Sequence, residues 1–371
     1  MFCQNQCKPN KLGFVMFVSD PSVYKYHEKS HNLSVILCIY VDDVIIISTN
    51  KEEIIKLKEN LLKYVKEIKD LGEVQKYLGI KIEKDPKSKT VQLNQMDYID
   101  NFVSEYIGEN KTVRTSPLGQ VIKYRELPNN EVNPSLLPIM GKIRYTADRT
   151  RPDLLTSCSL LASKATCPDD EIVNGTIRCL QYLRSTKHLK LRLGGTDTNF
   201  QLFGFVDASM SMSGNGRPQI GIYFYYNLTS GAFYCVSKLS QLISTSSTHA
   251  EIIGIDMFCK INENLRLFYH EYGMPLMKPT RCFNDSQSAM MRMETLKQTH
   301  RTKHINLRIN YIREQINARN IELNYIRNEE NVADMLMKLL VGTAFLKLRR
   351  RLLHGFDGND PDEVLNSKFE S

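Results

Sequence analysis

The sequence predicts a mixed α+β protein of two or three domains. The chain has 371 residues, and typical domain sizes set that domain number. Short β-branched runs alternate with longer segments in which apolar residues recur every three or four positions, and this alternation predicts strands and helices in one chain. The apolar fraction of 42% is ample for packed cores and excludes a disordered chain.

Charge and cysteine content narrow the classes of partner and compartment. The formal net charge of +8 favours a polyanionic partner. The nine cysteines include no CxxC pair, so the sequence indicates neither a disulfide framework nor a zinc site. A reducing compartment follows, and we expect a cytoplasmic or nuclear location. There is no signal peptide and no apolar run of membrane-spanning length, so we expect no membrane partner.

A predicted hairpin carries two adjacent carboxylates at its tip. The apolar runs Val35–Ile39 and Val44–Ile47 are β-branched and too short for buried helices, so they predict two strands. Asp42 and Asp43 lie between them, and carboxylates this close repel each other. A divalent cation relieves such repulsion, and oxygen ligands suit Mg²⁺.

Four further carboxylates fall at the ends of predicted elements. Asp207 ends a strand, Glu251 lies in the first turns of a helix, Asp285 follows a strand and Asp334 opens a helix. Carboxylates held in this way can meet at one edge of a sheet and share metal ions. The residues alone also allow the alternative that all four are separate surface or capping groups.

Several strings of residues identify a family. Tyr40-Val41-Asp42-Asp43 between apolar strands resembles the palm motif of reverse transcriptases. Tyr77-Leu78-Gly79-Ile80-Lys81-Ile82 and Thr150-Arg151-Pro152-Asp153 are similar to segments of copia-type retrotransposon polyproteins. From residue 200 the predicted order is three strands, a helix, a strand, helices, a strand and a helix, which resembles ribonuclease H.

The resemblance implies the domain organisation. We expect an incomplete reverse-transcriptase palm at residues 1–110 and a thumb- or connection-like region at 111–198. A ribonuclease H-like mixed sheet flanked by helices should occupy 199–345. A basic and then acidic tail is expected at 346–371.

The resemblance also implies a chemistry for the four carboxylates. They correspond to the ligands of two Mg²⁺ ions, for which Mn²⁺ is a possible substitute, in an enzyme that hydrolyses RNA in RNA–DNA hybrids. The motifs around them depart from the family pattern, as in Asp207-Ala208-Ser209 where Asp-Ala-Asp is usual. A divergent working nuclease and an eroding copy both fit this drift. A nucleic-acid-binding relic without catalysis and a decayed reading frame therefore remain alternatives.

Basic residues are expected to bind the nucleic acid. Arg301, Lys303 and His304 precede a predicted helix, whose N-terminus favours a phosphate. Arg151 lies in the thumb-like region, which by position would hold the nucleic-acid backbone. An ordinary solvated loop or face is the alternative for both groups. The expected partners are an RNA–DNA hybrid or another nucleic acid, and other parts of the same polyprotein.

The resemblance gives the palm hairpin only part of a polymerase site. In the family a third aspartate and the fingers region come well before the Tyr-Val-Asp-Asp motif. We therefore expect Asp42 and Asp43 to remain metal ligands, but we do not expect this chain alone to polymerise DNA.

Overall fold

The structure is a computed structural model that describes residues 13–28, 33–63, 69–119, 136–196, 200–210, 216–227, 229–294 and 303–355. Its strands are β1 (Val15–Met16), β2 (Val23–Glu28), β3 (Leu33–Tyr40), β4 (Asp43–Ser48), β5 (Lys76–Tyr77), β6 (Ile80–Asp85), β7 (Thr90–Asn94), β8 (Leu191–Gly194), β9 (Phe203–Ser209), β10 (Gln219–Tyr225), β11 (Tyr234–Leu239), β12 (Thr280–Asn284) and β13 (Ile321–Tyr325). Its helices are α1 (Lys51–Leu62), α2 (Met96–Ile107), α3 (Leu137–Arg149), α4 (Leu155–Ala162), α5 (Asp170–Ser185), α6 (Ser247–Tyr272), α7 (Gln287–Glu294), α8 (Lys303–Asn317), α9 (Asp334–Met337) and α10 (Gly342–His354). A mixed α+β fold is confirmed. None of the helices in these ranges has the length and apolar character needed to cross a membrane.

The chain forms two compact units. The first unit contains residues 1–74 and 261–277, and the second contains residues 75–260 and 278–371. Helix α6 contributes its final turns to the first unit. The boundary therefore falls at a different place from the expected domain limits, and it divides α6 itself.

The first unit is an antiparallel meander in the order β1-β2-β3-β4. Successive residues of β3 point to opposite faces of this sheet, as the two-residue period of a strand requires. Val35 and Leu37 pack with Leu57 of α1, while Ile36 packs on the opposite side near Phe268 of α6. Burial on both faces explains why this strand is apolar from Val35 to Ile39.

The second unit contains a mixed five-stranded sheet in the order β11-β10-β9-β12-β13. Strands β11, β10 and β9 are antiparallel neighbours, whereas β12 is parallel to both β9 and β13. All seven residues of β10 are buried, because this strand lies inside the sheet and is covered on both faces. The predicted succession of strands and helices in this region is confirmed.

A second sheet in this unit has the antiparallel order β5-β6-β7-β8. The helices α2, α3, α4 and α5 share a core with the face of the mixed sheet that carries Phe205 and Tyr223. The residues that bring α5 into this core are Ile172, Cys179, Leu180, Tyr182 and Leu183.

The C-terminal region corrects one expectation. Residues 346–354 belong to α10, so the expected basic tail is in fact a packed helix over that range. Leu348 and Leu352 are buried in the core, and the backbone N–H of Ala232 donates to the carbonyl of Leu352 at 2.9 Å. The basic run masked this pattern, because the leucines that face the core are spaced between arginines. The acidic residues after 355 lie outside the described residues.

Candidate metal centre

Three carboxylates from distant parts of the chain meet in the second unit. Asp207 comes from β9, Glu251 from α6, and Asp285 directly follows β12. One oxygen of each lies within 4.8 Å of the others. Asp207 and Glu251 are buried, and Asp285 is half-buried.

Strand register explains how Asp207 and Asp285 become neighbours. Strands β9 and β12 are parallel, and Phe205 pairs with Phe283. Two residues further along each strand are Asp207 and Asp285, which therefore emerge side by side at the carboxyl end of the sheet. The parallel pairing of strands distant in the chain thus creates the first half of the cluster.

A glycine lets α6 approach the sheet closely enough to add Glu251. A Cβ atom at Gly254 would lie 3.2 Å from Val206 and 3.3 Å from Ala208, so only hydrogen fits there without adjustment. Gly254 is three residues after Glu251 and shares its helical face. Close packing of this face on β9 brings the Glu251 carboxylate to Asp207.

Asp334 reaches the same region through a second close approach. A Cβ atom at Gly221 of β10 would lie only 2.6 Å from the carbonyl oxygen of Ala333. The buried Asn331 fixes the turn before α9, since its Oδ1 accepts from the backbone N–H of Ala333 at 3.1 Å. Asp334 opens α9 directly after this turn, and it contributes to the raised pKa of the Asp207 carboxyl.

Lys338 is part of this site. Its Nζ lies 2.6 Å from Oδ1 of Asp334, one helical turn earlier. Burial lowers the pKa of Lys338, but the hydrogen bond with Asp334 and the charges of Asp207 and Asp285 outweigh it and raise the pKa overall. Asp334 is therefore paired with the ammonium group of Lys338. Asp334 does not belong to the group of three carboxylates whose oxygens lie within 4.8 Å of one another.

Two buried asparagines position the strands around the carboxylates. Nδ2 of Asn284 donates to Oε2 of Glu251 at 2.9 Å and to the carbonyl of Val206 at 3.0 Å. Asn331 donates to the same carbonyl at 3.4 Å. The peptide before Asp207 is thus held from two sides.

The electrostatics of the cluster disfavour three ionised carboxylates. Burial, hydrogen bonding with Asp334 and the charges of its neighbours raise the pKa of Asp207 to about 10. Burial raises the pKa of Glu251 to about 7 against the opposing hydrogen bond from Asn284. The pKa of Asp285 is also raised, chiefly by burial. Each shift has the same origin, which is the cost of placing several negative charges in a poorly solvated site.

The donor set fits a hard divalent cation. Oδ2 of Asp207 is buried and has no hydrogen-bond partner, and a buried polar atom in this state calls for a ligand. The available donors are carboxylate oxygens, which Mg²⁺ prefers and Mn²⁺ accepts. Asp207, Glu251 and Asp285 would hold such an ion.

Asp42 and Asp43 are placed differently. Both are exposed at the tip of the β3–β4 hairpin, as the sequence predicts. They belong to no group of three potential metal ligands among the described residues. Val41 beside them has a φ of 54°, a strained conformation for a β-branched residue.

Arg151 corrects the expectation that it contacts nucleic acid. Its side chain is fully buried, and Nη2 lies 2.7 Å from Oδ2 of Asp153. Nε donates to Oδ1 of Asp153 at 2.9 Å, while Nη1 and Nη2 donate to the carbonyl and hydroxyl oxygens of Thr186 at 2.9 Å and 2.8 Å. A guanidinium whose donors are used inside the core cannot reach a phosphate, so this residue is structural.

The remaining predicted nucleic-acid contacts lie at the edge of the described chain. Lys303 and His304 begin α8, but the described structure does not extend to their side chains. Arg301 lies outside the described residues.

The sequence alone did not identify Lys338, Asn284 and Asn331 as parts of the site. It also did not identify Gly221 and Gly254, which allow the close approach of neighbouring elements. The spacing of Asp334 and Lys338 was a usable signal, because residues four apart on a helix are neighbours. The asparagines and glycines carry no such signal, since their roles depend on contacts with distant strands.

The fold and this site define a class. A mixed sheet in the order 3-2-1-4-5, with acidic residues at the carboxyl ends of its first and fourth strands and on the crossing helix, is a ribonuclease H-like domain. It stands in one chain with the Tyr-Val-Asp-Asp hairpin of a reverse-transcriptase palm. Residues 3–118 match the family model described as reverse transcriptase (RNA-dependent DNA polymerase).

The chain is a relative of the copia-type retrotransposon Pol polyproteins. It is 31% identical over 335 residues to the retrovirus-related Pol polyprotein from transposon TNT 1-94 of Nicotiana tabacum, covering 88% of this chain and 25% of that protein. It is 24% identical over 338 residues to the Pol polyprotein from transposon RE1 of Arabidopsis thaliana, covering 90% of this chain and 22% of the relative. The chain thus spans about a quarter of the length of these relatives.

Two solved structures are similar to this chain at low sequence identity. The foamy viral protease-reverse transcriptase in complex with RNA/DNA hybrid is 14% identical and covers 79% of this chain and 36% of that chain, with a TM-score of 0.43. A ribonuclease H1 isolated from compost is 17% identical and covers 37% of this chain and 91% of that chain, with a TM-score of 0.28.

Proposed function

We propose that this chain hydrolyses the RNA strand of RNA–DNA hybrids with divalent cations held by Asp207, Glu251 and Asp285. The observation that carries the proposal is the convergence of these three carboxylates within 4.8 Å, together with the unpartnered buried oxygen of Asp207. In phosphodiester hydrolysis, bound Mg²⁺ supplies an activated water and charge stabilisation at the phosphate. The protein residues supply the negative charge that retains the cations and the rigid frame that orients them.

Asp334 and Lys338 complete the proposed site. Asp334 contributes to the raised pKa of Asp207, so we take it as the fourth carboxylate of the constellation. Its ion pair with Lys338 holds the side chain in place. A second cation would take Asp334 as a ligand, in place of its contact with the ammonium.

The experiment is a cleavage assay on a hybrid whose RNA strand is labelled. Protein with Mg²⁺ should cut the RNA, and chelation by EDTA should stop the reaction. Asp207→Asn should lower the rate by at least about a hundredfold, because metal ligation contributes several kcal/mol. The matched control is Asp43→Asn, which removes an exposed carboxylate elsewhere and should leave cleavage unchanged. Equal rates in the wild type and Asp207→Asn would identify a contaminating nuclease.

We further propose that this chain alone does not polymerise DNA. The support is that Asp42 and Asp43 have no third metal-ligating neighbour within the described part of the chain. A primer-extension assay tests this, since template-dependent incorporation above that of the Asp42→Asn, Asp43→Asn double variant contradicts it. Salt-dependent binding of the hybrid with no metal-dependent turnover would instead favour the non-catalytic alternative.

A further inference from the structure

Two arginines that take no part in the carboxylate cluster lie together at α5. Arg178 is on the helix, and Arg114 is on the segment that follows α2 along the chain. Nε of Arg114 donates to Oε1 of Gln181 at 2.9 Å. Nη2 of Arg178 has one distant partner, Oγ of Ser116 at 3.4 Å. Both arginines are half-buried.

Neither Arg114 nor Arg178 forms an ion pair with a carboxylate among the described residues. Burial and the charge of Arg114 both lower the pKa of Arg178, and no carboxylate opposes them. The acidic residues of nearby α2 are already committed to lysines. Their ion pairs are Asp97 with Lys76, Asp100 with Lys187, and Glu105 with Lys142. Two like charges held together without a counter-ion cost free energy, and an anion removes that cost.

Contact with the backbone at Gly119 limits the position of the Arg178 side chain. A Cβ atom at Gly119 would lie 2.9 Å from Cζ of Arg178, so the guanidinium rests directly on the backbone there. Its Nε is buried and has no hydrogen-bond partner. The side chain is therefore placed before any ligand arrives, which limits the conformational entropy lost on binding.

We propose that Arg114 and Arg178 form a binding site for one phosphodiester of a nucleic-acid backbone. Guanidinium forks match the oxygens of a phosphate, and a tetrahedral phosphate can accept from two forks at once. A planar carboxylate is satisfied by one fork, so the pairing favours phosphate. The proposal rests on the proposed function and deepens it, because it assigns to the hybrid a backbone contact outside the carboxylate cluster.

The experiment measures binding of a fluorescein-labelled RNA–DNA hybrid to the full chain by fluorescence anisotropy. EDTA is present, so no cleavage occurs, and the affinity is followed over a range of salt concentrations. The Arg114→Gln, Arg178→Gln double variant should bind at least about fivefold more weakly at low salt. The slope of log affinity against log salt should fall by about 0.9, as expected for one lost phosphate contact.

The matched control is Lys142→Gln, which removes a positive charge from the same region. Lys142 is paired with Glu105, so its loss should leave the slope unchanged. A double variant whose slope equals that of the control overturns the proposal. If the double variant does not melt cooperatively, Arg178→Lys is tested in its place. This substitution keeps the positive charge but removes the paired donors of the guanidinium. Weaker binding with an unchanged slope supports the site, and unchanged affinity overturns it.

Inorganic phosphate provides a second arm. If phosphate raises the melting temperature above that in chloride of equal ionic strength, the gain should vanish in the double variant. If phosphate stabilises only the wild type, but the double variant keeps the same salt slope for hybrid binding, the arginines bind free phosphate. That outcome would overturn the nucleic-acid assignment. Because binding is read without cations, the absence of hydrolysis would defeat the proposed function and leave this test intact.

Discussion

Cation binding at the carboxylate cluster should release a proton. Without a metal, the pKa of Asp207 is about 10 and that of Glu251 is about 7. A divalent cation binds the ionised carboxylates, so it competes with the protons that these groups retain. Asp207 should therefore lose one proton at neutral pH, and Glu251 should lose a fraction that depends on pH.

The magnitude follows from these two pKa values. At pH 7 Glu251 retains roughly half a proton, and at pH 8 it retains about a tenth. Added to the proton on Asp207, the release falls from roughly 1.5 protons to roughly 1.1 between these pH values. The apparent cation affinity should accordingly rise about tenfold to thirtyfold from pH 7 to pH 8.

Calorimetric titration with Mn²⁺ in buffers of different ionisation enthalpy measures this release directly. Asp207→Asn is the internal control, since it removes the group with the most strongly raised pKa and should abolish about one proton of release. An affinity independent of pH, with no buffer-dependent heat, would refute the reasoning. It would mean that the carboxylates are already ionised or that the cation binds elsewhere.

Three further outcomes are expected. In EDTA, the buried carboxyls of the cluster bind more protons in the folded state than in the unfolded state. Their contribution to stability should therefore fall as the pH rises from about 5 to 10. Thermal melts should show a larger fall in the wild type than in Asp207→Asn. Asp153→Ala leaves the Arg151 guanidinium buried without its counter-ion and should cost about 3–5 kcal/mol in denaturant unfolding, whereas an unchanged midpoint would contradict that burial. Gly221→Ala forces a Cβ against the carbonyl of Ala333 and should weaken Mn²⁺ binding about tenfold in calorimetry by displacing Asp334, while an unchanged affinity would exclude Asp334 as a ligand.

Local sequence patterns were sufficient to predict the strands and helices, but not to predict which of their side chains are buried. The hairpin of β3 and β4 was predictable because β-branched runs flank a polar tip. Arg151 was misjudged because charge alone favours the surface, and its burial depends on Asp153 and Thr186, whose placement only the tertiary fold provides. The leucines of α10 were overlooked because the surrounding arginines dominate the local composition.

The resemblance to ribonuclease H selected the four carboxylates, because their positions at element ends also allow separate surface groups, and the structure brings Asp207, Glu251 and Asp285 together. The sequence could not show how strongly this clustering disfavours the ionised form of the carboxyls. The raised pKa values arise from burial and mutual proximity, which depend on the β9–β12 register and on the close approach of α6. The engagement of Asp334 by Lys338 likewise depends on the direction of α9.

The packing of α10 has a consequence for the order in which the protein matures. The carbonyl of Leu353 would clash with any side chain at Gly231, and Leu352 accepts a backbone hydrogen bond from the same loop. This helix follows every strand of the mixed sheet along the chain, yet it closes a core that includes much earlier residues. During translation the nascent chain therefore lacks a finished second unit. The second unit, and with it the carboxylate cluster, should therefore become stable only after synthesis has passed this helix.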